Sequence, residues 1–257
     1  MLRIDELARY ADELLGTDIT PDYPAALNGL QLENQSEIKG IASAVDLSTR
    51  AIDGAIKVEA NLLIVHHGMF WGGFEQIRGA AYRRIRSLLE HDIAVYSSHL
   101  PLDRHPTFGN NVLLANELGL TPTDTFANYG GIFIGVSGAS DVETTALVQR
   151  ARKFATAFSG EVRVTPITQG RRTKRWAMCT GAGASSDTLK EAARMRIDTL
   201  IVGEGPHHTA VQAEESGLAI IYAGHYATET LGVRALAQHL GERYGIPANF
   251  VIAPTGL

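Results

Sequence analysis

Apolar residues at positions 4, 7, 8, 11, 14 and 15 recur with helical spacing, which predicts an amphipathic helix over residues 3–15 closed by Gly16. Pro21 and Pro24 then mark a loop. From Gly40 onward the pattern changes to short apolar runs at 41–46, 62–65 and 93–97, separated by helical stretches near 48–60 and 80–90. A further helix is expected near 110–118, stopped by Gly119. Buried strands divided by helices of this length are the pattern of βαβ units around a mostly parallel sheet.

The second half repeats the rhythm. Strands are expected at 131–136, 161–167, 176–180, 199–202, 218–223 and 249–252. Helices are expected from a Ser140/Glu143 capping box, at 186–195, from Pro206 and at 227–243, with a basic turn at 171–175. The segments beginning Glu59-Ala-Asn-Leu-Leu-Ile-Val and Arg196-Ile-Asp-Thr-Leu-Ile-Val share one outline: helix end, turn, strand, polar segment. They read either as a trace of two related lobes or as one common strand type met twice. The expected fold is α/β, with two related lobes at 1–126 and 127–257 built on mostly parallel sheets. The last helix and strand are free to pack back on the first lobe.

Composition narrows the function classes. With 257 residues, 45% hydrophobic and 20% charged, the chain has an ordinary globular make-up. Its formal charge is −5, from 23 Lys and Arg against 28 Asp and Glu, so nucleic acid is not an expected partner. No apolar run approaches the ~20 residues that span a bilayer, so no membrane role is expected. The acid-containing N-terminus does not read as a signal peptide. The single cysteine, Cys179, excludes an internal disulfide, and a cytoplasmic protein is expected.

Candidate chemistry gathers where strands end. His66, His67 and Gly68 follow the 62–65 strand, and the carboxyl ends of parallel strands line the crevice in which open α/β sheets bind ligands. His99, Asp103 and His105 follow the 93–97 strand. Asp103 has two oxygens with which to bridge cations, and His99 and His105 are nearby alternatives. His225 and Glu229 follow the 218–223 strand, and their i, i+4 spacing puts both on one helix face. Each segment alone also reads as a loop pair, a turn residue or a surface hydrogen bond. Taken together they supply three imidazoles and two carboxylates without a thiolate, a set suited to Zn, Fe, Mn or Ni. Five ligands exceed the three of a lone catalytic zinc and suit a two-metal site.

Four motifs in order then carry a resemblance: Asn28-Gly-Leu-Gln31, Val65-His-His-Gly-Met-Phe-Trp71, His99-Leu-Pro-Leu-Asp103 running on through Gly109-Asn-Asn to Leu118-Gly-Leu, and Ala223-Gly-His-Tyr-Ala-Thr-Glu229. The chain resembles the GTP cyclohydrolase I type 2 homologs, also grouped as dinuclear-metal-centre hexameric proteins. The resemblance implies a two-lobed protomer, two divalent ions between the lobes held by His66, His67, Asp103, His225 and Glu229, and a toroidal homohexamer. The chain leaves no room for the extra domain that longer members insert between the lobes.

Other features have plain readings. The turn Thr180-Gly-Ala-Gly-Ala-Ser-Ser186 lacks the pattern of a phosphate-binding loop and reads as tight strand-to-helix packing. His207 and His208 follow a helix-opening Pro206, and Arg171, Arg172, Lys174 and Arg175 read as a solvated loop. Cys179 reads as buried and inert. Phe70 and Trp71 either wall the pocket or pack between subunits. The expected function is a metal-dependent hydrolase acting on a small nucleotide-like or phosphorylated substrate, with His99 and Glu204 as candidate proton carriers. The alternative is a non-catalytic, ring-forming metal-binding assembly protein.

Overall fold

The computed structural model describes residues 2–73 and 75–257. Contacts divide the chain into two units, 1–102 with 232–253 and 103–231 with 254–257. The chain thus changes unit at residue 103, earlier than the expected joint near 127, and its last helix and strand rejoin the first unit.

The first unit runs through helix α1 (Ile4–Leu15), strands β1 (Gly29–Leu32) and β2 (Ile41–Asp46), helix α2 (Thr49–Lys57), strand β3 (Leu62–His67), helix α3 (Gly79–Glu90) and strand β4 (Ala94–Ser97). The four-residue helix α4 (Leu100–Asp103) follows at the division. α1 ends as its sequence predicts: Gly16 adopts φ +63° and its N–H reaches Asp12 O. Ser48 caps α2 by accepting from Ala51 N. The sheet order is β1-β4-β3-β2-β11, where β11 is Ala248–Phe250. Only β1 runs antiparallel to its neighbour. β3 is buried along its whole length, as a strand covered on both faces must be. Ile52 of α2 and Leu88 of α3 pack on Leu63, Val65 and Val95, each worth about 1.5–3 kcal/mol of apolar burial.

The second unit contains α5 (Asn110–Glu117), β5 (Asp124–Tyr129), β6 (Ile132–Glu143), α6 (Thr144–Thr156), β7 (Arg163–Val164), β8 (Arg172–Cys179), α7 (Ser186–Arg194), β9 (Thr199–Val202), α8 (His207–Ser216), β10 (Ala219–Tyr222) and α9 (His225–Thr228). Helix α10 (Thr230–Tyr244) leads back to the first unit. The sheet order is β5-β6-β8-β9-β10-β7, with β8, β9 and β10 parallel. Leu189 and Ala192 of α7 and Ala213 of α8 pack on Ala177, Leu200, Val202 and Ile220.

Several expectations need correction. Ser140 does not cap a helix: it lies inside β6, where its hydroxyl donates to Thr173 O, because strand pairing with β8 overrides the local capping pattern. The basic residues Arg172, Lys174 and Arg175 belong to β8, and Arg171 donates to the carbonyls of Asp198 and Gly217. The expected 227–243 helix is two helices, α9 and α10, and the expected 161–167 strand shrinks to two residues. Among the described residues no helix is long and apolar enough to cross a membrane.

Candidate metal centre

In the first unit the chemistry lies at the carboxyl ends of β3 and β4. His66 and His67 are the last two residues of β3 itself, where the sequence suggested the turn beyond it. Parallel pairing of β3 with β4 brings His99, two residues past β4, alongside them. The imidazole ring centres lie 4.8 Å apart for His66 and His99, 4.9 Å for His66 and His67, and 5.6 Å for His67 and His99. One ligand nitrogen from each falls within 4.8 Å of the others, and all three residues are buried.

Each ring is oriented through Nδ1. His66 donates to Ser98 O at 2.9 Å, His67 to Asp46 Oδ1 at 2.9 Å, and His99 to Asp22 Oδ1 at 2.8 Å. A neutral imidazole that donates from Nδ1 carries its lone pair on Nε2. Asp22 is itself fixed, accepting at Oδ2 from Asn28 Nδ2 and Leu100 N. Burial pushes the Asp22 carboxyl up, but the pull of His99 together with the hydrogen bonds from Asn28 and Leu100 outweighs that and holds it below its usual range. Asn28 also accepts from His99 N at 2.7 Å, so it steers backbone and carboxylate together.

In the second unit the same edge of the sheet carries the set. β9 leads to Glu204 and β10 to His225, and His225 Nδ1 lies 2.8 Å from Glu204 Oε1. Its Nε2 lies 3.1 Å from Glu229 Oε2, so the i, i+4 pair meets as expected. Burial lowers the His225 pKa, but the two carboxylates, Glu229 first, overcome this and raise it to about 9. Gly181, just beyond β8, makes room for this pair. It has φ +61°, and a Cβ there would overlap Glu229 Oε1 and approach His225 Nε2 to 3.4 Å. Its N–H donates to Thr228 Oγ1.

Asp103 is buried and accepts from Asn110 Nδ2 at 2.8 Å. Gly109 permits this, since a Cβ there would strike the Asp103 and His105 carbonyls. Asp103 and Glu229 both lie near enough to the Cys179 thiol to reinforce the upward shift that burial imposes on it.

Two sequence alternatives take other roles. His105 Nδ1 accepts from the N–H groups of Thr107 and Phe108, closing a loop. His207 and His208 are exposed at the start of α8. Asp46 and Asp22 were not singled out in the sequence. Asp46 had a signal in hindsight, since it ends the strand next to the one bearing His67, while Asp22 sits in the proline loop with none.

The residues suit a divalent ion in two respects. The donors are imidazole nitrogen and carboxylate oxygen, and four imidazoles are braced at Nδ1 by an oxygen, as in metal sites whose outer ligands fix the tautomer.

The comparisons agree with one another. A relative from Pyrococcus horikoshii, named GTP cyclohydrolase 1 type 2 homolog, is 40% identical over 98% of this chain and 99% of its own. A relative of the same name from Deinococcus radiodurans is 38% identical over 98% of this chain and 94% of its own. The solved structure of protein ybgI, described as of unknown function, superposes over all of both chains with a TM-score of 0.89 and 33% identity. The family model described as Duf34/NIF3 (NGG1p interacting factor 3) matches residues 2–253, and the chain belongs to that family.

Proposed function

We propose that this chain is a metal-dependent hydrolase that holds two divalent ions with His66, His67, Asp103, His225 and Glu229 and acts on a small nucleotide-like or phosphorylated molecule. The observation that carries this reading is the bracing of every imidazole in the set: His66, His67 and His225 each direct Nδ1 to a carbonyl or carboxylate. The names of the relatives point the same way.

When bound, a pair of such ions supplies an acidified water and a Lewis acid for the group under attack. The chain's own part is orientation and proton handling. Asp46 and Glu204 hold His67 and His225 in one tautomer, and Asn110 fixes Asp103. His99 is not needed as a ligand, and the Asp22–His99 dyad resembles a carboxylate-oriented general base or acid. In that role His99 Nε2, which keeps its lone pair while Nδ1 donates to Asp22, would take up the proton released by the attacking water and return it to the leaving group. The proposal extends to a homohexamer, the assembly that the family resemblance implies.

The test is anaerobic purification with metal analysis, then a metabolite-depletion assay comparing the native protein with Asp103→Ala. The reading expects two divalent ions per chain and depletion of a nucleotide-like or phosphorylated compound by the native protein alone. Absence of bound metal, or identical metabolite profiles, overturns it.

The second reading is a non-catalytic metal-binding assembly. It is favoured by apolar side chains left in solvent on and just before α3: Ile77 at 62%, Tyr82 at 51% and Leu89 at 61% exposure. Under it, Glu229→Gln dissociates the oligomer; under the hydrolase reading the oligomer persists and turnover is lost.

A further inference from the structure

Two large aromatic rings stand half in solvent beside the first unit's histidines. Trp71 is 39% exposed and Tyr23 49% exposed. Trp71 packs inward on His67 and on His99, each with ring centres 4.6 Å apart, and Tyr23 on His99 at 5.9 Å. The phenol and indole meet nearly edge to face, with centres 6.3 Å apart and planes 79° apart. Two perpendicular rings make a corner: a flat guest stacks on one and meets the other edge-on, the arrangement aromatic rings prefer.

The corner is built into the fold by the Asn28-Gly-Leu-Gln31 segment, which the metal site uses only through Asn28. Gln31 Oε1 accepts from Met69 N at 2.7 Å, in the loop that carries Trp71. Its amide nitrogen donates to the carbonyls of Ala26 and Leu27, in the loop that carries Tyr23. One side chain therefore ties both aromatic loops together. Gly68 lies so close to the Gln31 amide that a Cβ would collide with it. The Trp71 turn is closed by Gly73 N–H to Phe70 O at 2.8 Å, and the Tyr23 N–H donates to Asp22 Oδ1 at 2.7 Å. Beyond Trp71, Cβ atoms at Gly72 and Gly73 would meet nothing within 4 Å among the described residues, their chain neighbours aside.

We propose that Tyr23 and Trp71 form a stacking corner that binds a planar heteroaromatic ring, such as a nucleobase, against the His66–His67–His99 cluster. The inference deepens the hydrolase reading and rests on it only for what happens to the ring afterwards. Recognition by stacking tolerates substitution on the ring, since every base offers a π face. It also needs little ordering on binding, because both rings are already braced.

The experiment uses the full chain and two probes, guanosine monophosphate and ribose 5-phosphate, which share the phosphate and sugar and differ in the base. Trp71 is one of two tryptophans, and the other, Trp176, is fully buried, so a ligand on the corner quenches only the Trp71 part of the emission. Guanosine monophosphate is expected to quench it. Trp71→Ala and Tyr23→Ala should each weaken its binding about tenfold or more, measured by equilibrium dialysis, while Trp71→Phe stays within about threefold of the native chain. Ribose 5-phosphate should bind all four proteins alike. The proposal is overturned if guanosine monophosphate does not bind, if Trp71→Ala binds it as tightly as the native chain, or if affinity for ribose 5-phosphate falls in parallel. If the base-dependent quenching holds while dialysis finds no divalent ion on the protein, the hydrolase reading fails and the stacking corner stands.

Discussion

Asp46 and His67 stand opposite one another in the register of β2 and β3, and the His67 imidazole donates from Nδ1 to the Asp46 carboxylate at 2.9 Å. Backbone pairing thus sets a ring's tautomer. Asp46→Ala should weaken divalent-ion binding by about 10–100-fold, measured by competition with a chromogenic chelator, with the circular dichroism spectrum unchanged. Unchanged affinity would show that the carboxylate does not tune the ring.

Gly181 has both a left-handed backbone and no room for a side chain beside Glu229. Gly181→Ala should lower stability by about 1–3 kcal/mol, read as several degrees in Tm, and should weaken metal binding as Glu229 is displaced. Gly217→Ala is the control. Gly217 also has positive φ, at +71°, but among the described residues nothing lies within 4 Å of its would-be Cβ. It should lose stability and keep its metal.

The pattern of apolar positions made the interior strands legible. β2, β3, β4, β9 and β10 are runs of buried residues that no other element explains. β1 and β5 are not legible in the sequence because most of their residues remain partly in solvent and their apolar positions form no run. The basic start of β8 reads as a turn because its cations are exposed. It is held in the sheet by partners distant in sequence, such as Asp141, which takes a hydrogen bond from Arg172 Nε at 2.5 Å. In the site, residues that follow strands were readable one by one. Asp46 and Asp22 are not, since each acts on an imidazole 21 or 77 residues away, Asp46 across a register that only the folded sheet defines and Asp22 from a loop.

Asp92 offers a pH test away from the candidate metal centre. It sits at φ +51° and accepts from Gln35 N at 2.7 Å and Ser36 N at 2.9 Å. Burial raises its pKa, but these donors outweigh burial and hold it below the usual carboxylate range. A depressed carboxylate stabilises the fold above its unfolded pKa, and that contribution is lost as pH falls through the folded one. Asp92→Asn, which tolerates the same backbone, should therefore be less stable than the native chain at neutral pH by about 0.5–1 kcal/mol. The two melting curves should converge in acid; a constant gap at every pH would show that charge is not involved.

Cys179 is the single thiol of the chain and is buried, and burial with the charges of Asp103, Glu229 and Glu191 pushes its pKa far up. The folded protein should not react with Ellman's reagent at neutral pH, and one thiol per chain should appear on adding guanidinium. Rapid reaction of the folded protein would contradict the packing around β8.

The return of residues 232–253 to the first unit has a bearing on synthesis. β11 pairs beside β2 but follows it in the chain only after the intervening unit, so the flank of β2 stays unsatisfied while that unit is being made. An open strand edge of this kind invites pairing with other nascent chains. A truncation before residue 248 should therefore precipitate on expression even though every histidine discussed above is still encoded.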